Sequence, residues 1–448
     1  MVTPKPAMPT HAPAPQTRTA SHWLPMFIIG VLFFIFGFVT WLNGPLISFA
    51  KLAFQVPDTY AFLVPSAFYL SYFFLALPSS TVLKRTGMKR GMALGLFVMA
   101  MGAVIFSQFA PMRMYAGVLT GLFVIGAGLA LLQTAANPYV SMLGPIESAA
   151  QRIAVMGICN KGAGALAPVV IGALALHGID KIEQGVKDAA TPAIRDAVLN
   201  GFAAQMRWPY LAMAAILVVI AILVMRSALP EIRTEGANRE ATGAPGGMLR
   251  IPHFWLGVVC LFLYVGVEVM AGDAIGIYGQ GFGLPLGETT HFTSFTLIAM
   301  LVGYALGFLL TPRFVSQERY LGASAVLGAL LTLAAWLTTG FTSVLFVAAL
   351  GFANAMMWPA IFPLAIRGLG RRTELGSAFL IMAIAGGAII PQLFAHLKLH
   401  INFQLAFMVL MVPCYLYILF YAAYGSSVGL RGTPLGMTPR AADAGTAS

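Results

Sequence analysis

Charge is what this 448-residue sequence has least of: 9% of its residues are Asp, Glu, Lys or Arg, where a soluble domain carries roughly a quarter. With 59% hydrophobic residues and a mean hydropathy of +0.84, the chain has too little polar material to cover a water-facing surface. Cysteine is also scarce. Cys159, Cys260 and Cys414 all fall in apolar blocks, which argues against a disulfide framework or a thiolate metal cluster and reads as small buried hydrophobes. No Gly-x-x-x-x-Gly-Lys-Ser/Thr phosphate loop is present, so direct coupling to ATP is disfavoured. A His-Glu-x-x-His zinc signature and a Gly-x-Ser-x-Gly elbow are missing too, so neither an enzyme nor a cofactor is expected.

What is abundant is apolar sequence in blocks of about 20 residues, the length a helix needs to cross a hydrocarbon core about 30 Å thick. Blocks near 24–50, 59–83, 91–110, 115–143, 150–176, 205–227, 253–281, 290–312, 319–338, 341–367, 373–397 and 402–424 predict twelve spans. They lack the alternation of barrel strands, so the fold class is an all-α membrane protein in a lipid bilayer. No short apolar core with a cleavage site precedes the first block, so a cleaved signal peptide is not expected.

The net charge of +11 is a matter of sidedness rather than of nucleic-acid binding. Lys51, Arg113, Lys181, Lys187, Arg195, Arg207 and Lys398 fall on one side and Lys161 lies within a span. The rest of the 26 Lys and Arg fall on the side of the chain ends. That bias places both termini in the cytoplasm.

The expected organisation is a disordered cytoplasmic tail at 1–22, a six-helix half at 23–227, a linker at 228–252, a second six-helix half at 253–424 and a tail at 425–448. Asn137-Pro138 is echoed by Trp358-Pro359, and Gly164 with Pro168 by Gly387 with Pro391, each offset by close to half the chain. Two related halves are a recurring transporter plan.

Glu268 and Asp273 are the carboxylates well inside a span, both on the seventh. A charge at mid-membrane costs at least about 2.5 kcal/mol, so such groups face a cavity or a partner. Lys161 is the partner to test. Five residues of regular helix would set the two carboxylates roughly 140° apart, but the segment from Gly266 to Gly276 is rich in glycine, and transporters break helices where they line the midplane site. One carboxylate is expected to take up a proton or bond substrate hydroxyls and the other to pair with Lys161; the alternative is a salt bridge that only locks two helices. A direct contact between Asp273 and Lys161 would mark those two as a gating or pKa-tuning bridge. Other candidates for the same cavity are Trp41 and Asn43, Gln133 and Asn137 at helical spacing, Asn160, and Asn354 and Trp358 at the same spacing. Amides, carboxylates and tryptophans together suit a sugar, whose hydroxyls surround weakly apolar ring faces. The plainer reading of each amide is interhelical hydrogen bonding worth about 0.6 kcal/mol.

The segments Phe36-Gly-Phe-Val-Thr-Trp-Leu-Asn-Gly44, Leu132-Gln-Thr-Ala-Ala-Asn-Pro-Tyr139, Met156-Gly-Ile-Cys-Asn-Lys-Gly-Ala-Gly164 and Tyr264-Val-Gly-Val-Glu-Val-Met-Ala-Gly-Asp273 resemble the fucose, glucose and galactose porter family of the major facilitator superfamily. Within it they look most like the bacterial N-acetylglucosamine permeases. The turn Lys84-Arg85-Thr-Gly87-Met-Lys89-Arg90 resembles the basic gate loop of the superfamily. The resemblance implies a monomeric carrier of the bacterial inner membrane that imports a monosaccharide, N-acetylglucosamine or glucose and galactose, by symport with H+ or Na+. A drug or metabolite exporter and a uniporter-like carrier are the alternatives. In the fucose permeases an Asp stands at the position of Gly44 and a Glu at that of Gln133. Their absence here weakens a fucose assignment and makes Glu268 the first candidate for coupling or sugar contact.

Overall fold

A run of twenty apolar residues can satisfy its backbone in lipid by coiling into a helix, and twelve helices long and apolar enough to cross a membrane are present among the described residues. The computed structural model of the chain describes residues 23–143, 149–227, 229, 248–311, 314–369 and 372–430. The expected tail at 1–22, most of the 228–252 linker, and 431–448 lie outside the described residues. Spans 1 to 6 run Leu24–Ala53, Asp58–Thr86, Met88–Phe109, Tyr115–Asn137, Arg152–Ala175 and Pro192–Arg226. Spans 7 to 12 run Pro252–Gly272, Leu286–Leu310, Gln317–Leu337, Gly340–Ile366, Leu375–Leu397 and Phe403–Ser427.

Most boundaries fall within a few residues of the expected ones. The sixth starts earlier, because the stretch 177–204 is itself helical, as Ile179–Lys187 and Pro192–Ala204. Thr191 caps the second of these by accepting from the Ile194 N–H at 3.3 Å, with Pro192 in the first turn. A proline there gives up no helical hydrogen bond. Phe202 then packs its ring 5.3 Å from that of Phe49, anchoring this helix to span 1.

The twelve spans form two six-helix halves, which meet chiefly through span 2 against span 11 and span 5 against span 8. Glycines set the closest approaches within a half. A Cβ placed on Gly128 of span 4 would lie 2.4 Å from the Gly95 carbonyl oxygen of span 3, and one on Gly102 would lie 2.7 Å from that of Gly121. Small residues repeating along a face let two backbones touch where lipid provides no hydrophobic drive.

Spans 1, 10 and 11 are interrupted near their middles, and span 7 breaks at its end. Span 1 is built of helices Trp23–Thr40 and Asn43–Ala53, and span 10 of Gly340–Asn354 and Met357–Ile366. Pro45 and Pro359 lie four residues beyond Trp41 and Ala355, whose carbonyls therefore have no N–H to accept from. Span 7 ends at Gly272 and resumes as Ile275–Gln280, and span 11 tightens into a 3-10 turn at Ala383–Ala385 before Gly386. Such breaks persist in membranes only where protein or a cavity surrounds them.

Candidate functional site

The breaks of spans 1, 10 and 11 border one cavity between the halves, which is open at its mouth. Span 1 contributes Phe33, Phe36, Thr40 and Trp41, span 2 contributes Tyr69 and Tyr72, and span 4 contributes Gln133 and Asn137. Asn160 and Lys161 come from span 5, Tyr264 and Glu268 from span 7, Tyr304 from span 8 and Trp358 from span 10. Many of these lie in the part of their span nearer the chain ends, so the cavity leans toward that face.

At its centre Lys161 and Glu268 form an ion pair across the two halves, Nζ to Oε1 2.7 Å, both buried. The Tyr264 hydroxyl donates to the same Oε1 at 2.9 Å from one helical turn away. Oε2 takes neither of these bonds. The Lys161 ammonium also lies 4.5 Å from the centroid of the Trp41 ring, an attraction worth about 2 kcal/mol when desolvated. Two glycines seat that indole: a Cβ on Gly164 or on Gly272 would each come within 2.3 Å of it. A residue of one half is thus clamped between a helix of its own half and a helix of the other.

Asp273 sits in the break of span 7 and is sealed from solvent, 1% exposed. It does not line the cavity. Its Oδ2 accepts from the Tyr69 hydroxyl at 3.1 Å, and the backbone N–H of Gly44 faces the same carboxyl. Across from it Gly44 leaves no room for a side chain, since a Cβ there would lie 2.3 Å from Thr293 Oγ1 and 3.4 Å from Asp273 Oδ1.

Of the residues singled out in the sequence, the structure therefore brings Trp41, Gln133, Asn137, Asn160, Lys161, Glu268 and Trp358 together around one space. Asn43 and Asn354 lie beside the breaks instead. Asn43 donates to the carbonyl of Thr40 at 3.0 Å, and Asn354 accepts from the Tyr415 hydroxyl at 2.9 Å. Glu268, not Asp273, is the partner of Lys161, so an Asp273–Lys161 bridge is not formed. Four tyrosines were not anticipated: Tyr69, Tyr72, Tyr264 and Tyr304. Three of them had a signal in helical spacing, Tyr69 with Tyr72 and Tyr264 with Glu268, each placing two polar tips on one face; Tyr304 had none. Gln133 donates to Tyr72 at 3.0 Å.

At the face away from the chain ends the halves are tied by polar bonds. Asp58 holds Lys51 of its own half at 2.7 Å and is bonded as well by Lys398 of the other. Gln392 donates to the Thr59 carbonyl at 2.9 Å, and Asp180 accepts from the Gly287 N–H at 2.8 Å. At the opposite face the basic turn is placed by Lys89, which donates to the Ser227 carbonyl at 2.6 Å. Lys84 and Arg85 occupy the last turn of span 2, with Arg90 in the first turn of span 3. Gly87 between them adopts φ 80°, a conformation suited to glycine.

Residues 29–391 match the family model described as Major Facilitator Superfamily. The glucose/galactose transporter of Brucella abortus (strain 2308) is 34% identical over 426 residues, covering 94% of this chain and 99% of that one. The L-fucose-proton symporter of Escherichia coli is 30% identical over 380 residues, covering 83% and 86%. Among solved structures, the transporter FucP in its outward conformation is 28% identical with a TM-score of 0.73, covering 91% of this chain and 99% of that chain. With twelve helices in two halves around a cavity at their interrupted middles, this chain belongs to the Major Facilitator Superfamily, a family of membrane transporters rather than enzymes.

Proposed function

We propose that the protein imports a monosaccharide by symport with a proton. The observation that carries this reading is the Lys161–Glu268 pair in the cavity, flanked by Trp41 and ringed by tyrosines and amides. A sugar offers hydroxyls to such groups and an apolar ring face to an indole, whereas an exporter of apolar compounds has no use for an ion pair in its cavity. The names of the relatives support glucose or galactose as substrate and a proton as the driving ion; the resemblance of the Asn160-Lys161-Gly and Glu268 segments supports N-acetylglucosamine. Glu268 offers its free oxygen to a substrate hydroxyl. Asp273, the buried carboxylate without a cation partner among the described residues, is the group left to take up the coupling charge.

The test is transport by purified protein in liposomes, offered labelled glucose, galactose, N-acetylglucosamine and L-fucose with and without pH and sodium gradients. One of the sugars is expected to accumulate with an inward proton gradient, and a failure of all four to exchange would end the reading. Both termini are assigned to the cytoplasm, so the cavity opens inward and the Asp58 and Asp180 bonds close the outer face. Asp180→Cys with Gly287→Cys puts two thiols within disulfide reach, because a Cβ on Gly287 lies 3.1 Å from Asp180 Cγ. Oxidation of that variant is expected to stop exchange and reduction to restore it, read out as labelled-sugar exchange before and after dithiothreitol. Exchange unaffected by a demonstrated crosslink would show that the outer face need not part.

A further inference from the structure

Asp273 is sealed outside the cavity, yet one side chain belongs to both places. Tyr69 lines the cavity and places its hydroxyl 3.1 Å from Asp273 Oδ2. We propose that Tyr69 is the coupling element of this transporter: its hydroxyl converts the protonation state of Asp273 into affinity for sugar. This rests on the symport reading above and adds a residue to it.

The ring of Tyr69 is held on several sides. Phe68 stands edge-on at 5.1 Å, and Gly387 of span 11 packs so closely that a Cβ there would lie 3.1 Å from Tyr69 Cγ and Cδ2. With the oxygen fixed, the O–H bond still turns. An ionised carboxylate only accepts hydrogen bonds, so while Asp273 is charged, Tyr69 must direct its hydrogen to Oδ2. A protonated Asp273 is itself a donor. Its hydrogen then bonds Tyr69 Oη, and the phenolic hydrogen swings into the cavity, where it can hold atoms of a sugar that only accept, such as the ring oxygen or an acetamido carbonyl.

The same contact provides the proton path. A proton from water in the cavity binds Tyr69 Oη as the phenol passes its own hydrogen to Oδ2, so one O–H bond forms at each step and one breaks. The other titratable groups facing the pair are Glu268 on the same span, Lys161 on span 5 and Tyr72 on span 2. Lys161 and Glu268 cancel each other at 2.7 Å, so loading Asp273 is what brings the charge of the cavity region to zero. The backbone N–H of Gly44 also faces the carboxyl, but a peptide N–H does not relay a proton, which leaves the Tyr69 hydroxyl as the side-chain link between the carboxyl and the cavity among the described residues.

The test is the pH dependence of sugar binding to detergent-purified protein, with D-glucose, D-galactose and N-acetylglucosamine each titrated by calorimetry. For wild type the affinity is expected to weaken with rising pH by up to about tenfold per pH unit, the limit for one linked proton. Asp273→Asn is expected to bind with no pH dependence. Tyr69→Phe is expected to bind within about tenfold of the acid-form affinity, the scale of one hydrogen bond, and to lose the pH dependence while Asp273 is still present. A wild-type slope in Tyr69→Phe would overturn the role of Tyr69 and leave the symport reading standing. Loss of binding at every pH in a monodisperse Tyr69→Phe protein would also overturn it, since that makes Tyr69 a binding or structural residue. A wild-type protein whose binding ignores pH would sink the inference together with proton coupling.

Discussion

Lys161→Met is expected to abolish sugar accumulation and to lower the melting temperature of the purified protein sharply. The substitution keeps the length of the side chain but leaves the Glu268 carboxylate buried with one donor, Tyr264, and no countercharge. Removing one partner of a buried pair costs about 3–5 kcal/mol. The informative variant is the double one. Replacing both charges together, Lys161→Met with Glu268→Met, removes the stranded charge and is expected to bring the melting temperature back toward wild type, since buried pairs are often no more stabilising than well-packed apolar substitutes. Sugar exchange is expected to be absent in the double variant, because the Glu268 oxygen proposed to bind the sugar is gone. Restored exchange in a refolded double variant would reduce the pair to a lock between helices.

The second large effect is steric. Gly37 of span 1 packs on the backbone of span 5, and a Cβ there would lie 2.2 Å from the carbonyl oxygen of Asn160 and 2.7 Å from its Cα. Backbone cannot rotate away as a side-chain tip can, so Gly37→Ala must push the two helices apart, at the roughly 1–3 kcal/mol usual for overpacking. The displaced segment carries Asn160 and Lys161, so a loss of sugar affinity is expected alongside a lower melting temperature. Gly162→Ala is the matched control, because a Cβ on Gly162 meets nothing within 4 Å. Equal behaviour of the two alanine variants in binding and melting would contradict this packing.

The sequence was most legible where lipid leaves few choices. Twelve apolar runs became helices, and of the three charges within them two were expected correctly to face a cavity and a partner, whereas Asp273 is sealed against Tyr69 instead. Lys161 and Glu268 do both. The seventh-span break was readable from its glycines, and that break ends the regular helical geometry just before Asp273.

Pairing was not readable. Lys161 could have met either carboxylate, and the choice of Glu268 depends on how the halves dock, which no local pattern encodes. Nor did the amides declare themselves. Asn43 and Asn354 have the same composition signal as Gln133 and Asn160, but the first two sit at the breaks in spans 1 and 10 and bond Thr40 and Tyr415. Tyr69 was hidden because a tyrosine in an apolar span reads as an ordinary large side chain. Its meaning lies in a contact with a residue 204 positions away.

The proposed coupling is sugar uptake driven by a proton loaded on Asp273. Its most direct test places wild type and Asp273→Asn in the same liposomes and compares uphill accumulation in a pH gradient with gradient-free exchange. Wild type is expected to do both, and Asp273→Asn to exchange labelled sugar without accumulating it. Accumulation by Asp273→Asn at the wild-type level would contradict the claim.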